Sequence, residues 1–516
     1  MRWFEKLVSG LCLLLFTLMI AFLAVHSLFY TLEIQSSETM RVLTDSPFVH
    51  LLGIGLLIAL AVWLSRKGWP LGEPLENRLI LLVALLLTGG SLCCVLVSKS
   101  LPIFDQLMCI DAAKMLAAGN VEASLNGYYL NYFPFQLPWV LVLTGLTKLG
   151  LDVSQVCPYG NIAANLLSIW ALADCGMILF PRRGMRLFIW LGALAFLPLT
   201  FYLPFVYGNL PGLCLMLLGA RALLLYLRDR RNMHLVIAVV CFLAATLLKK
   251  NFLIASIAAA LTLLLFIRPG KRIGACVAAG VLLVGSFGGG SLLCKTVGNA
   301  TGTELSQGFP VSTFILLGLQ EVDGHEPGWY NDSGYILYEK AGKNASATDA
   351  LAWPLVRERI AQFAADPALA ASFFYRKILS QWEEPSFQSL WINEMARNPQ
   401  RGKLALSLYE HGQAGNAALW WMNQYHSLLL VGTLLWLLLG RKNRTPGVLF
   451  FPLYFVGGFL FHTIWEAKGQ YTLFYFFCLI PYAVAGYAAA VQRLRGLGRK
   501  KAPLLTEANS DTQPKG

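Results

Sequence analysis

For most of its length the chain shows neither the period-two alternation of a half-buried strand nor the narrow stripe of a surface helix. Apolar residues instead run on for roughly twenty positions between short polar breaks, the pattern of a bilayer-spanning helix. Such runs cover residues 7–28, 48–65, 79–98, 159–180, 187–205, 209–227, 232–248, 251–267, 274–294, 418–440, 446–464 and 470–491. They predict an all-α polytopic membrane protein with about twelve transmembrane helices. The first run follows Arg2 and Lys6, is longer than a signal-peptide core and lacks a small-residue cleavage pattern, so it reads as a retained span.

One further run does not fit. Residues 137–151 would reach only about 22 Å at a helical rise of 1.5 Å per residue, short of a hydrocarbon core of roughly 30 Å. Pro134 and Pro138 interrupt its start. Charge decides its place. If the run lies flat at the outer interface, with Trp139 at headgroup depth, the turns on one side are all basic. They hold Arg2 and Lys6; Arg66, Lys67 and Arg78; Arg182, Arg183 and Arg186; Arg228, Arg230 and Arg231; Arg268, Lys271 and Arg272; Arg441, Lys442 and Arg444; and Arg493 to Lys501. The positive-inside rule then predicts both termini in the cytoplasm. A crossing at 137–151 would put every later basic turn outside.

This bookkeeping divides the chain into two N-terminal spans with their cytoplasmic turn (1–78), a transmembrane core (79–294), a large external loop (295–417), terminal transmembrane helices (418–491) and a cytoplasmic tail (492–516). The core contains a first external loop, 99–158. In the large loop, apolar spacing around Leu355 to Phe363 and Ala370 to Ile378 predicts helices, and Gly324, Gly328, Asn331 and Gly334 mark turns. The sequons at Asn299, Asn331 and Asn344 would matter only in a eukaryotic lumen. Residues 502–516 are polar and expected to be disordered.

Composition excludes a soluble globule: of 516 residues, 56% are hydrophobic and only 13% charged, about half the charged share of soluble domains. The net charge of +13 sits at membrane edges, so no nucleic-acid partner is expected. Eleven cysteines fall mostly inside apolar runs, without zinc or redox spacing. Cys109 and Cys157 flank one external segment; two unpaired thiols are expected, with a disulfide as the alternative in an oxidising compartment.

The first external loop opens with Phe104-Asp105-Gln106, continues as an expected helix from Cys109 to Gly119, and closes with Tyr128-Tyr129 and Tyr132-Phe133-Pro134. A lone aspartate is most often a solvated charge or a helix cap. Asp105 differs by standing just past a span and ahead of aromatic segments able to close over a lipid-borne substrate. Residues Asp105 to Gly119, followed by Tyr132-Phe133-Pro134-Phe135 and Leu146-Thr147-Lys148-Leu149-Gly150, resemble the first external loop of the GT-C superfamily of glycosyltransferases, near the bacterial relatives of protein O-mannosyltransferases.

That resemblance implies that Asp105 is the catalytic base, with Asp111 and Tyr132 in the same loop near substrate. The family often carries a second acid beside the first, whereas this chain has Gln106. It also carries an arginine at the outer start of the following span in mannosyltransferases, where Asn161 and Asn165 stand here, which argues against assigning mannose.

Two more patches agree. Leu247-Leu248-Lys249-Lys250-Asn251 is the one paired-lysine turn on the external side; family members place a lysine at a similar span end, against the donor phosphate. Two lysines snorkelling to headgroups are the alternative. The last external turn, His462 to Tyr471, is similar to the Glu-x-Arg-x-x-Tyr segment of these enzymes, with Glu466, Lys468 in place of the arginine, and Tyr471. The large loop, with Gly328-Trp329-Tyr330-Asn331-Asp332 and Gln381-Trp382-Glu383-Glu384-Pro385, looks like that of a Gram-positive branch. Trp382 beside Glu383 would suit a sugar platform, the ring packing on C–H groups and the carboxylate accepting from hydroxyls; packing against the membrane helices is the alternative.

The resemblance thus implies an inverting hexosyl- or pentosyltransferase in a bacterial cell membrane. It would take a polyprenyl-phosphate-linked sugar as donor and a cell-envelope glycan, lipid or protein as acceptor. Asp105 would be the base, and Lys249, Lys250 and Lys468 the phosphate ligands. Some relatives are metal-assisted, which leaves a divalent metal open, yet no histidine and carboxylate cluster marks a metal site. A lipid-linked-sugar flippase or transporter is the alternative, weakened by the absence of an internal repeat and by spans nearly free of charge, Asp174 and Arg221 excepted. A polysaccharide polymerase or ligase would share the loops and the lipid substrates.

Overall fold

The computed structural model describes residues 2–67, 72–266, 269–440, 445 and 447–499. The basic positions Arg268, Arg441, Lys442, Arg444, Lys500 and Lys501, and the tail 502–516, lie outside these. Among the described residues seven helices are long and apolar enough to cross a membrane. They are Glu5–Phe29, Pro47–Arg66, Glu73–Ser98, Val153–Leu179, Asn209–Asp229, Arg272–Thr301 and Gln413–Leu439. An eighth is formed if Gly469–Phe477 and Ile480–Gly496, bent by 48° at their junction, act as one span. Four shorter apolar helices occupy other predicted runs: Met185–Ala195, Asn232–Leu248, Lys250–Leu265 and Phe450–Ile464.

The run 187–205 is not one continuous helix. It stops at Ala195 and restarts as Leu197–Phe201. Pro198 accounts for the break, because it has no N–H to donate and its ring crowds the preceding turn. Pro481, in the first turn after the bend at 478–479, marks the other interrupted span in the same way.

The connection between the first two spans is a two-stranded antiparallel hairpin, Tyr30–Ile34 with Met40–Thr44, in the register Leu32↔Val42 and Ile34↔Met40. Glu38 turns its tip in the left-handed region, at φ 59°.

In the segment 99–158 a helix spans Phe104–Ala117, starting earlier than expected, and Gly119 ends its last turn at φ 85°. The run near 137 forms a helix of 12 residues, Leu137–Lys148, about 18 Å long and too short to cross. It packs on Phe104–Ala117 and buries Leu137, Val140 and Leu143. Trp139 is also buried, 4% exposed; it serves the protein core and is not presented at headgroup depth, because it lies on the helix face that packs inward. Cys109 and Cys157 are both buried and free.

The large loop holds the two expected helices, Ala345–Ala365 and Pro367–Trp382, the second capped by the Asp366 carboxylate accepting from Ala368 and Leu369 N–H. Gly324 and Gly328 occupy positive-φ turns, whereas Gly334 lies inside the helix Ser333–Lys340. The loop is stitched to the spans. Arg401 donates to the carbonyls of Ser98 (2.8 Å) and Ala396 (3.0 Å), closing the end of Glu73–Ser98 against the loop.

Candidate active site

A cavity of about 1860 Å³ opens where the hairpin tip, the segment 99–158, the 248–251 turn, the large loop and the 465–471 turn meet. It exceeds the roughly 300–1000 Å³ of small-ligand pockets. Its charged end holds Glu38, Asp105, Lys249, Glu466, Lys468 and Tyr471. Away from them the lining is largely apolar, with Leu247, Leu253, Ile254, Ile257, Phe287 and Phe461.

Asp105 occupies the first turn of Phe104–Ala117, where the unpaired N–H groups favour a carboxylate. It does not cap that helix: Ile103 holds the N-cap position in extended conformation, and no side chain bonds there. Asp105 is exposed to the cavity. The protein packed around it raises its pKa above the ordinary value, while Lys468 and Lys249 pull it back.

The tyrosines Tyr129 and Tyr207 stand beside Asp105, their hydroxyls 3.3 Å apart. Gln136 donates its amide to the Tyr207 hydroxyl. Gln106 is buried and accepts from Val206 N–H at 2.9 Å. It ties the 205–207 segment, and with it Tyr207, to the start of the Asp105 helix.

Lys249 follows the last residue of Asn232–Leu248. Its Nζ lies 4.4 Å from the Tyr207 ring centroid and 5.7 Å from that of Tyr471, so two aromatic faces hold the cation over the cavity. Burial lowers its pKa to about 8, opposed by the Asp105 carboxylate. The turn can sit this close because residue 208 is glycine: a Cβ there would come within 2.1 Å of the Leu248 carbonyl oxygen. Lys250 also lines the cavity, with its Nζ donating to the Ser286 carbonyl at 3.0 Å.

Glu466 and Lys468 come from the turn after Phe450–Ile464. Lys468 Nζ is 3.0 Å from a Glu38 carboxylate oxygen and 5.5 Å from the Tyr330 ring centroid. Burial alone would depress the lysine, but Glu38 and Glu466 outweigh it and hold its pKa above the ordinary value. Glu466 is buried, and that burial pushes it up to about 7 against the pull of Lys468. The turn is held from behind: Ala467 N–H donates to the Gly328 carbonyl at 2.8 Å, and Lys377 donates to the carbonyls of Thr463 (2.9 Å), Trp465 (2.8 Å) and Gly318.

Not every expected residue reaches the cavity. Trp382 is 0% exposed and packs on Phe455, Phe459, Tyr475 and Phe476 with ring centroids 4.9 to 5.9 Å away. It is a core residue, not a platform, because its helix ends facing the membrane helices. Glu383 is buried against His426, Oε2 to Nε2 3.4 Å, and burial raises its pKa well above the carboxylate range. Asp111 and Tyr132 are not among the lining residues; the Tyr132 hydroxyl donates to Glu339 instead. In the spans, Asp174 pairs with Arg221 at 2.8 Å and Arg186 at 3.0 Å. Among the described residues no three His, Cys, Asp or Glu side chains are grouped as a metal site requires.

Glu38 and Tyr207 are members of the site that the sequence reading missed; for Tyr207, inside an apolar stretch, no signal was available, whereas Glu38 offered one. The signal available was an acidic residue in a short connection on the same predicted side as Asp105. No protein-family model matches this chain, and no curated protein does.

Proposed function

We propose that this protein is a membrane glycosyltransferase of GT-C type that moves a sugar from a polyprenyl-phosphate donor to a cell-envelope acceptor, at the outer face of the cell membrane and with inversion. The observation that carries the reading is that Asp105, Lys249 and Lys468 line one cavity with a largely apolar flank. A carboxylate whose pKa the surrounding protein raises is a stronger base than a free one. Two lysines beside it suit a phosphate that gains charge as it leaves.

Asp105 takes the proton of the acceptor hydroxyl as that oxygen attacks the anomeric carbon. The bond from that carbon to the phosphate oxygen breaks, and its electron pair leaves with the lipid phosphate. Lys249 and Lys468 stabilise the charge that grows there, which lowers the barrier because the interaction is stronger in the transition state than before it. The phosphate arrives already attached to the donor, so no glycine-rich nucleotide loop is needed. A carrier would place unpaired ionisable groups near the bilayer midplane; Asp174, Arg186 and Arg221 are instead paired with one another.

The test is Asp105→Asn in purified protein, following transfer from a panel of polyprenyl-phosphate sugars. Loss of the base is expected to slow turnover by about 10²- to 10⁴-fold. Undiminished transfer would remove Asp105 from the role, and movement of labelled lipid across liposomes without new glycosidic bonds would favour a carrier.

A further inference from the structure

The Lys468 ammonium, one of two cations at the charged end of the cavity, is already engaged. Its partner is Glu38 at 3.0 Å, and neither side chain is far from buried, at 17% and 18% exposure. Glu38 is not a stray surface acid. It holds a left-handed backbone conformation at φ 59°, unusual for a residue with a side chain. The hairpin carrying it is pinned on several sides. Gln388 Nε2 donates to the same Glu38 oxygen at 3.3 Å, and Gln470 N–H donates to Gln388 Oε1 at 3.1 Å. Ser36 Oγ donates to Glu394 at 2.8 Å, and Met40 N–H to Glu326 at 2.7 Å. The scaffold therefore delivers one carboxylate to one lysine inside the cavity.

A carboxylate and a phosphate monoanion offer a lysine the same thing: a compact oxyanion at hydrogen-bonding distance. We infer that Glu38 is a positioning residue that occupies on Lys468 the place of the donor phosphate, so that donor binding displaces this carboxylate and only an anionic head group can complete the exchange. This rests on the phosphate-donor reading above. It makes the hairpin a filter for head-group charge: a neutral lipid-linked sugar has nothing to offer Lys468 in return, and leaves the ion pair closed. It also places a second carboxylate near the leaving group only until the phosphate has replaced it.

The experiment measures binding of undecaprenyl phosphate and of the uncharged undecaprenol to the full-length protein in detergent. The proteins compared are wild type, Glu38→Gln, Lys468→Met and the double variant, with thermal unfolding of each recorded in parallel. Glu38→Gln keeps the shape and the bond from Gln388 and removes the competing charge. It is expected to tighten undecaprenyl phosphate about tenfold, equivalent to about 1.4 kcal/mol, and to leave undecaprenol unchanged. Lys468→Met should abolish that gain in the double variant. A purely structural role for Glu38 would loosen binding instead of tightening it, so equal or weaker phosphate binding by a folded Glu38→Gln overturns this inference while wild-type binding keeps the donor reading intact. If wild type fails to prefer the phosphate over undecaprenol, both fall together.

Discussion

Lys377, wholly buried on the helix Pro367–Trp382, donates its ammonium to the Trp465 carbonyl at 2.8 Å. That bond, with those to Thr463 and Gly318, fixes the turn from which Glu466 and Lys468 reach the cavity. Burial lowers the lysine to about 7, a cost that three backbone carbonyl acceptors offset in part.

Lys377→Met would leave these carbonyls without a donor, at about 1–3 kcal/mol for each one that water cannot reach. The expected outcome is a lower unfolding temperature in detergent together with slower transfer. Lys377→Arg should not restore either, because a longer, planar guanidinium does not fit a wholly buried site closed around a single ammonium nitrogen. Normal unfolding and transfer in Lys377→Met would show that the turn holds itself.

The state of Lys249 predicts a pH dependence. With its pKa lowered to about 8, the ammonium is present below that pH and is lost as pH rises through it. Affinity for a phosphate-bearing lipid should therefore fall above pH 8. Lys249→Arg stays charged and should flatten that fall, whereas Lys249→Met should bind weakly at every pH. An alkaline limb unaltered by arginine would assign the titration to another group.

Gly208→Ala tests how the Lys249 turn is seated. The new methyl would meet the Leu248 carbonyl oxygen at 2.1 Å, a backbone atom with no rotamer to escape into. The turn must shift, and a displacement of about 1 Å can cost on the order of 10²-fold in rate. The check is turnover against unfolding temperature: a large loss in the first with a small loss in the second is expected.

Trp382→Ala should act on stability and not on sugar recognition. Deleting a wholly buried tryptophan costs about 3–5 kcal/mol, and detergent-solubilised protein should unfold at lower temperature. At temperatures where the variant stays folded, the donor KM should match wild type. A raised KM without loss of stability would return Trp382 to the substrate.

The sequence carried the fold where its signal was long or strongly punctuated. Apolar runs near twenty residues became helices, and the short run at 137 stayed short, because helix length follows directly from run length. The break near Pro198 was written in the residue itself, yet the run either side of it was apolar enough to hide it. Lys249 stood out by violating the charge pattern of the turns, and Lys468 by the resemblance of its turn, Glu466 to Tyr471, to a family segment. Glu38 did not, since a five-residue strand with mixed polarity, Tyr30–Ile34, gives little alternation to read. Trp382 was chemically ambiguous: an aromatic beside two acids describes a sugar platform and a buried corner equally well, and only packing separates them.

The contact of Arg401 with the Ser98 carbonyl has a practical consequence. Together with the grip of Lys377 on Thr463 and Trp465, it makes residues 295–417 borrow part of their acceptors from far away in the chain. Expressed alone, that segment would keep only its internal acceptors, Gly318 for Lys377 and Asn393 and Ala396 for Arg401, so a soluble fragment is a poor route to its properties, and a protease cut within it should loosen the ends of the spans as well as the loop.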